Sequence, residues 1–97
     1  MAQKDYVLNL TLDTVGVVHL HADETGLDRL ISTLQSLKAH LAKGECEHEH
    51  MMSEDWGGYG LSLANSSMAE GHLPVHHLKI YAWTDEWARK NGFNKRA

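Results

Sequence analysis

TGLDRLISTLQSLKAHLAKG, residues 25–44, is the stretch that decides the fold. Its apolar residues Leu27, Leu30, Ile31, Leu34, Leu37 and Leu41 recur at spacings of three and four, while Arg29, Ser32, Gln35, Ser36 and Lys43 fill the rest of the wheel. That period is the signature of an amphipathic helix with one face for a core. Gly44 sits just past the last apolar position, where a residue free to turn left-handed ends a helix. Thr25 and Asp28 read as a capping box, Asp28 standing where Glu is preferred. The apolar side chains of this one helix, at ~1.5–3 kcal/mol each when buried, suffice to anchor the core of one small domain.

On the N-terminal side, residues 6–12 alternate, Tyr6, Leu8, Leu10 and Leu12 against Val7, Asn9 and Thr11. Residues 15–22 alternate again, with Val18 and Leu20 against Val17, His19 and His21. Period two marks half-buried strands, and the Asp13-Thr14 connection folds them into a hairpin. On the C-terminal side, residues 45–52 (ECEHEHMM) set Glu45, Glu47 and Glu49 against Cys46, His48 and His50. This predicts a strand whose histidines point inward or to the sheet edge, with Cys46 a small buried residue. Residues 59–64 read as a short strand with Leu61 and Leu63 on one face, residues 65–71 as the longest loop, and residues 75–83 as a further strand with Leu78, Ile80 and Ala82 on one side. Thr84 caps a short final helix with Asp85 and Glu86 in its first turn, ending at Asn91-Gly92.

The order β-β-α-β-β-β-α lacks the repeated βαβ alternation of a parallel fold. It predicts a single α+β domain over residues 1–97. The expected architecture is a mainly antiparallel five-stranded sheet with the long helix on one face, a short C-terminal helix, and a basic disordered tail at 93–97.

Composition narrows the function. The 97 residues carry thirteen acids and nine bases, a net charge of −4, and eight histidines whose full protonation would bring the chain to +4. Four of the bases, Arg89, Lys90, Lys95 and Arg96, lie in the last nine residues, so residues 1–88 stand at −8. An acidic body disfavours nucleic acid, because phosphate binding draws on clustered Lys and Arg, and suits a basic protein partner. One cysteine allows no internal disulfide. The start MAQKDYVLNL has no basic stretch followed by a long apolar one, which predicts a cytoplasmic protein without a signal peptide or membrane span.

His19-Leu-His21 and His48-Glu-His50 each put two imidazoles on one side of a strand. If the two pairs share a face, His19, His21, His48 and His50 could hold zinc, as a metal-binding protein or metal-dependent enzyme. The competing reading makes them surface or half-buried strand residues that hydrogen-bond carboxylates and need no cofactor. Nothing resembles a Gly-x-Ser-x-Gly elbow, and Gly57-Gly58-Tyr59-Gly60 lacks the lysine and helix of a phosphate loop. Residues 45–56 hold five acids, no base, and Trp56. An aromatic ringed by carboxylates is an anchor for a basic partner, while Trp83 and Trp87 suit helix packing.

The stretch His48-Glu-His50-Met-Met-Ser-Glu-Asp55-Trp56, coming after a Leu-rich helix and followed by His77-Leu-Lys-Ile-Tyr81, resembles the immunity protein 32 family of bacterial polymorphic toxin systems. The likeness runs over residues 6–83. Met51-Met52, Gly57-Gly58 and the last helix with its basic tail depart from the family pattern. The resemblance implies a non-enzymatic cytoplasmic antidote that docks on a basic toxin domain and occludes its active site. Glu47, Glu49, Glu54, Asp55 and Trp56 are the expected partner-binding residues. A homodimer through an exposed strand edge is a further expectation.

Overall fold

The computed structural model describes residues 5–53, 60–62 and 70–93. β1 (Leu8–Leu12) and β2 (Val18–Ala22) form the expected antiparallel hairpin, with Leu10 opposite Leu20 and Leu12 opposite Val18. Its turn is longer than the Asp13-Thr14 step, and Asp13 builds it. Asp13 Oδ1 accepts from the N–H groups of Val15 and Val17, both at 2.9 Å, while Gly16 takes a φ of 90°. A short carboxylate bonding the backbone just ahead of it is a common way to close a turn.

α1 (Glu24–Ala42) begins at Asp23 rather than at a Thr25 capping box. Asp23 Oδ1 accepts from Gly26 N–H at 2.8 Å and from Val7 N–H at 3.0 Å, and the N–H of Asp23 donates to the Val7 carbonyl at 3.1 Å. One carboxylate thus serves a helix N–H and a neighbouring strand N–H together. Thr25 lies inside the helix and cannot. The other end follows the sequence reading: Gly44 has φ 78°, its N–H bonds Leu41 O at 2.9 Å, and Glu45 N–H bonds His40 O at 3.0 Å.

A single five-stranded sheet does not form. β2, β1 and β4 (Leu73–Val75) make one sheet in that order, and β3 (Glu47–Met52) pairs with β5 (His77–Ala82) in a second. The chain changes partners at His76. Before it, Val75 lies opposite Leu10 on β1; after it, His77 lies opposite Met52 on β3, and the His76 carbonyl accepts from Ser53 N–H at 3.0 Å. Pro74, with no N–H to give, falls on β4 at a sheet edge. Of the strand expected over 59–64, the described residues retain only a parallel bridge between Gly60 and Met52. Residues 59 and 63–69 lie outside the described ones.

The core joins the two sheets. Tyr6, Leu8, Leu10, Met51 and Leu61 are buried together, with Leu30, Val75, Leu78 and Ile80 packed around them. Residues 60–62 plug it: Leu8 N–H donates to Ser62 Oγ and Ser62 N–H to Leu8 O, each at 2.8 Å, and Tyr6 O–H donates to Gly60 O at 3.2 Å. α1 rests chiefly on β3. It turns in Gly26 and Leu37, with Leu30, Thr33 and Leu41 half-buried. Leu27, Ile31 and Leu34, expected in the core, remain 44%, 49% and 42% exposed. The apolar face of the helix is wider than the sheet surface offered to it.

α2 (Asp85–Lys90) starts where expected, Thr84 Oγ1 accepting from Trp87 N–H at 3.1 Å. Phe93, assigned to the tail by sequence, is tied back to it by an N–H bond of 2.8 Å to Ala88 O. Residues 94–97 lie outside the described ones.

Candidate functional site

Directly opposed residues in an antiparallel pair share a face. The β3–β5 register therefore puts Glu47, Glu49 and Met51 on the same side as Ala82, Ile80 and Leu78, and His48, His50 and Met52 on the other side with Tyr81, Lys79 and His77. The inward placement expected for His48 and His50 is reversed. Met51, Leu78 and Ile80 belong to the core cluster, so period two forces the histidines out and leaves Glu47 and Glu49 half-buried at its margin. Cys46, expected buried, is exposed just ahead of β3, its Sγ 3.9 Å from Thr84 Oγ1.

The outer face carries a run of rings. His50 Nδ1 and His77 Nε2 are 2.7 Å apart, and His48 lies 5.0 Å from His50 and 5.8 Å from Tyr81, centroid to centroid. Tyr81 stacks on Trp83 at 5.3 Å, Trp83 on Trp87 at 3.9 Å, and Phe93 lies 5.5 Å from Trp87. Trp83 and Trp87 thus pack α2 against the end of β5, as their spacing implied. Lys79 Nζ stands 5.0 Å over the Tyr81 ring.

Two imidazoles sharing one hydrogen bond need a donor and an acceptor, so one of them must be neutral. Loss of hydration among the neighbouring rings, followed by the charges of Lys79, His77 and His48, holds His50 below the ordinary histidine value of 6.5. Below that value the unfolded chain takes up a proton that folded His50 resists, so stability falls with acidification. The urea midpoint is expected to drop between pH 7.5 and pH 5.5, and to drop less in His50→Gln. Equal drops in the two proteins would refute the role given to His50. Asp13 acts in a lower range: it is held at about 2, first by its hydrogen bond to His19, and its contribution is lost only as pH falls from the ordinary carboxylate range toward that value.

A second group gathers at the open end of the β2–β1–β4 sheet. His19 Nε2 lies 3.0 Å from Asp13 Oδ2, His72 packs on His19 with ring centroids 4.6 Å apart, and His72 Nδ1 is 3.1 Å from Thr11 Oγ1. Asp13, His19 and His72 each offer a donor atom within 4.8 Å of the others, and all three are half-buried. The set His19, His21, His48 and His50 is not assembled: β2 and β3 belong to different sheets and share no ladder. His72 carried no signal in the sequence, where it followed a polar stretch. Only the pairing of β4 with β1 brings it beside Thr11.

Of the expected partner-binding residues, Glu47 and Glu49 flank the core on β3, and Glu54, Asp55 and Trp56 lie outside the described residues. Glu45 is engaged by His40, whose Nδ1 lies 2.7 Å from Glu45 Oε1, and this contact pulls Glu45 below the ordinary carboxylate value. No described helix is long and apolar enough to cross a membrane. The described residues form an α+β fold of antiparallel strands and two helices, with one histidine cluster on each sheet. No family model, no curated protein and no solved structure matches the chain.

Proposed function

We propose that this chain is a non-enzymatic binding protein that neutralises a bacterial toxin by covering its active site, as the resemblance to the immunity protein 32 family implies. The observation that carries the reading is the outer face of β3 and β5, where Tyr81 stands half exposed in a continuous stack with Trp83 and Trp87 and beside His48 and His50. Trp and Tyr are the residue types that dominate interface energies, and a stack already ordered before binding loses little entropy on contact. The acidic body, −8 over residues 1–88, steers a basic partner toward it. Glu54, Asp55 and Trp56 remain proposed contact residues, and Glu47 and Glu49, on the opposite side of β3 from Tyr81, act on the partner through long-range charge.

Coexpression with the toxin domain of the neighbouring gene is expected to restore growth, and the two proteins to copurify one to one. Tyr81→Ala should weaken the complex by about 2 kcal/mol, roughly thirtyfold in Kd. Glu49→Lys should slow association and flatten its salt dependence. Full rescue by a Tyr81→Ala/Trp83→Ala double variant with a native circular dichroism spectrum would exclude this face. Full rescue by Trp56→Ala and Asp55→Lys would exclude those contact residues.

A further inference from the structure

We infer that Asp13, His19 and His72 form a binding site for a divalent first-row transition ion, with zinc the best match. Three segments supply the donors: the β1–β2 turn, β2 itself, and the residue just ahead of β4. All the donor atoms lie within 4.8 Å of one another. A tetrahedral zinc with bonds of roughly 2.0–2.1 Å separates its ligand atoms by about 3.3 Å. Asp13 Oδ2 and His19 Nε2, 3.0 Å apart, are already within a few tenths of that spacing. Closing His72 on the ion needs only a shift of side chains on the sheet margin.

Two further features favour a metal over a simple ion pair. Asp13 Oδ2 meets the His19 ring while Oδ1 serves the turn, yet a second imidazole is held against the first. His72 also meets, on its other side, the hydroxyl of Thr11, which is 1% exposed. Where Nδ1 donates to that hydroxyl, Nε2 keeps its lone pair, the arrangement in which an outer hydrogen bond orients a ligating histidine. Two neutral imidazoles and one carboxylate suit a borderline ion such as zinc, and leave one position for water or for a group from another molecule. The His48, His50 and His77 cluster forms no comparable set: among the described residues only Asp13, His19 and His72 converge.

The inference stands apart from the toxin-binding reading, and either can fail alone. The test is titration of the tag-free protein with Zn²⁺, followed calorimetrically and by thermal unfolding, with Co²⁺ as a spectroscopic substitute. One equivalent should bind. Because the ion ties the hairpin turn to the start of β4, the unfolding temperature should rise with free metal, as expected for a ligand specific to the folded state. Co²⁺ should give the intense visible bands of tetrahedral coordination. His72→Ala should lower affinity by at least the roughly 10–100-fold that loss of an outer partner alone costs.

Asp13→Asn provides the second variant. Asn keeps the oxygen that accepts from Val15 and Val17, so the turn survives while the anionic ligand is lost. It too should abolish the thermal shift. Zinc binding at the parent's affinity in both variants, its removal by His50→Gln, or its absence from the parent protein overturns the assignment.

Discussion

Gly26→Ala is expected to unfold this protein at temperatures where the parent is native. Helix propensity alone predicts the opposite, since replacing glycine by alanine inside a helix gains about 1 kcal/mol. At residue 26 that gain is overwhelmed. A Cβ there would stand 1.7 Å from the Val7 carbonyl oxygen and 2.8 Å from its carbon, both backbone atoms that cannot swing aside. Relief requires the first turn of α1 to lift from the chain entering β1. That movement breaks the Asp23 knot, in which one carboxylate oxygen bonds both Val7 and Gly26 and the Asp23 N–H returns to Val7. Forced overpacking costs 1–3 kcal/mol even where side chains can yield, so about 3 kcal/mol or more is expected here. In a domain of this size that lowers the unfolding temperature by roughly 12 °C or more.

Gly44→Ala serves as the comparison. Gly44 has a φ of 78° but open space around it, so only backbone strain of about 1 kcal/mol applies. Thermal unfolding of the two variants separates steric exclusion from conformational strain. A Gly26→Ala protein as stable as the parent would refute the close approach of α1 to the strand.

The contrast between these glycines marks what the amino-acid order makes legible. Gly44 is local: a helix must stop, and a residue able to adopt positive φ stands at the end of the apolar period. The hairpin, α1, Thr84 and the faces of β5 are local in the same sense, and each is where its pattern put it. Gly26 reads as a poor helix residue until Val7 is seen beside it, and Asp23 as a surface acid until Val7 and Gly26 are seen to share it. Period two established that His48 and His50 oppose the glutamates of β3, but it cannot say which side is inside. That choice belongs to Leu78, Ile80 and Met51, through the pairing with β5. The two sheets were likewise hidden, because a strand that changes partners at His76 looks continuous along the chain. The site at Asp13, His19 and His72 is the extreme case, since 53 residues separate its last two members and only the β1–β4 register closes the gap.

The same split between local pattern and tertiary context decides how the apolar residues will respond to truncation. Leu8→Ala is expected to cost about 3–4 kcal/mol, within the range for deleting a fully buried leucine. Leu8 is 1% exposed, and it is enclosed by Tyr6, Leu10, Met51 and Leu61 where the two sheets and α1 meet. Residues 60–62 are pinned on it by one backbone bond and one bond to the Ser62 hydroxyl, so the packing around it has little freedom to collapse into the void. Against a total stability of about 5–15 kcal/mol for a typical domain, the variant should show a sharply lower urea midpoint and unfold near physiological temperature. Ile31→Ala removes a side chain of the same size from the helix that covers Leu8, yet 49% of Ile31 is exposed, and alanine is the better helix former. Its midpoint should move by no more than about 0.5 kcal/mol. The ratio of the two effects therefore reads whether the Ile31 stripe of α1 is covered as the β1 core is. A loss at Ile31 as large as that at Leu8, growing weaker as the protein is diluted, would mean that Leu27, Ile31 and Leu34 are buried against a second copy in solution. A loss at Leu8 no larger than that at Ile31 would mean that the core does not lie between β1, Met51 and Leu61.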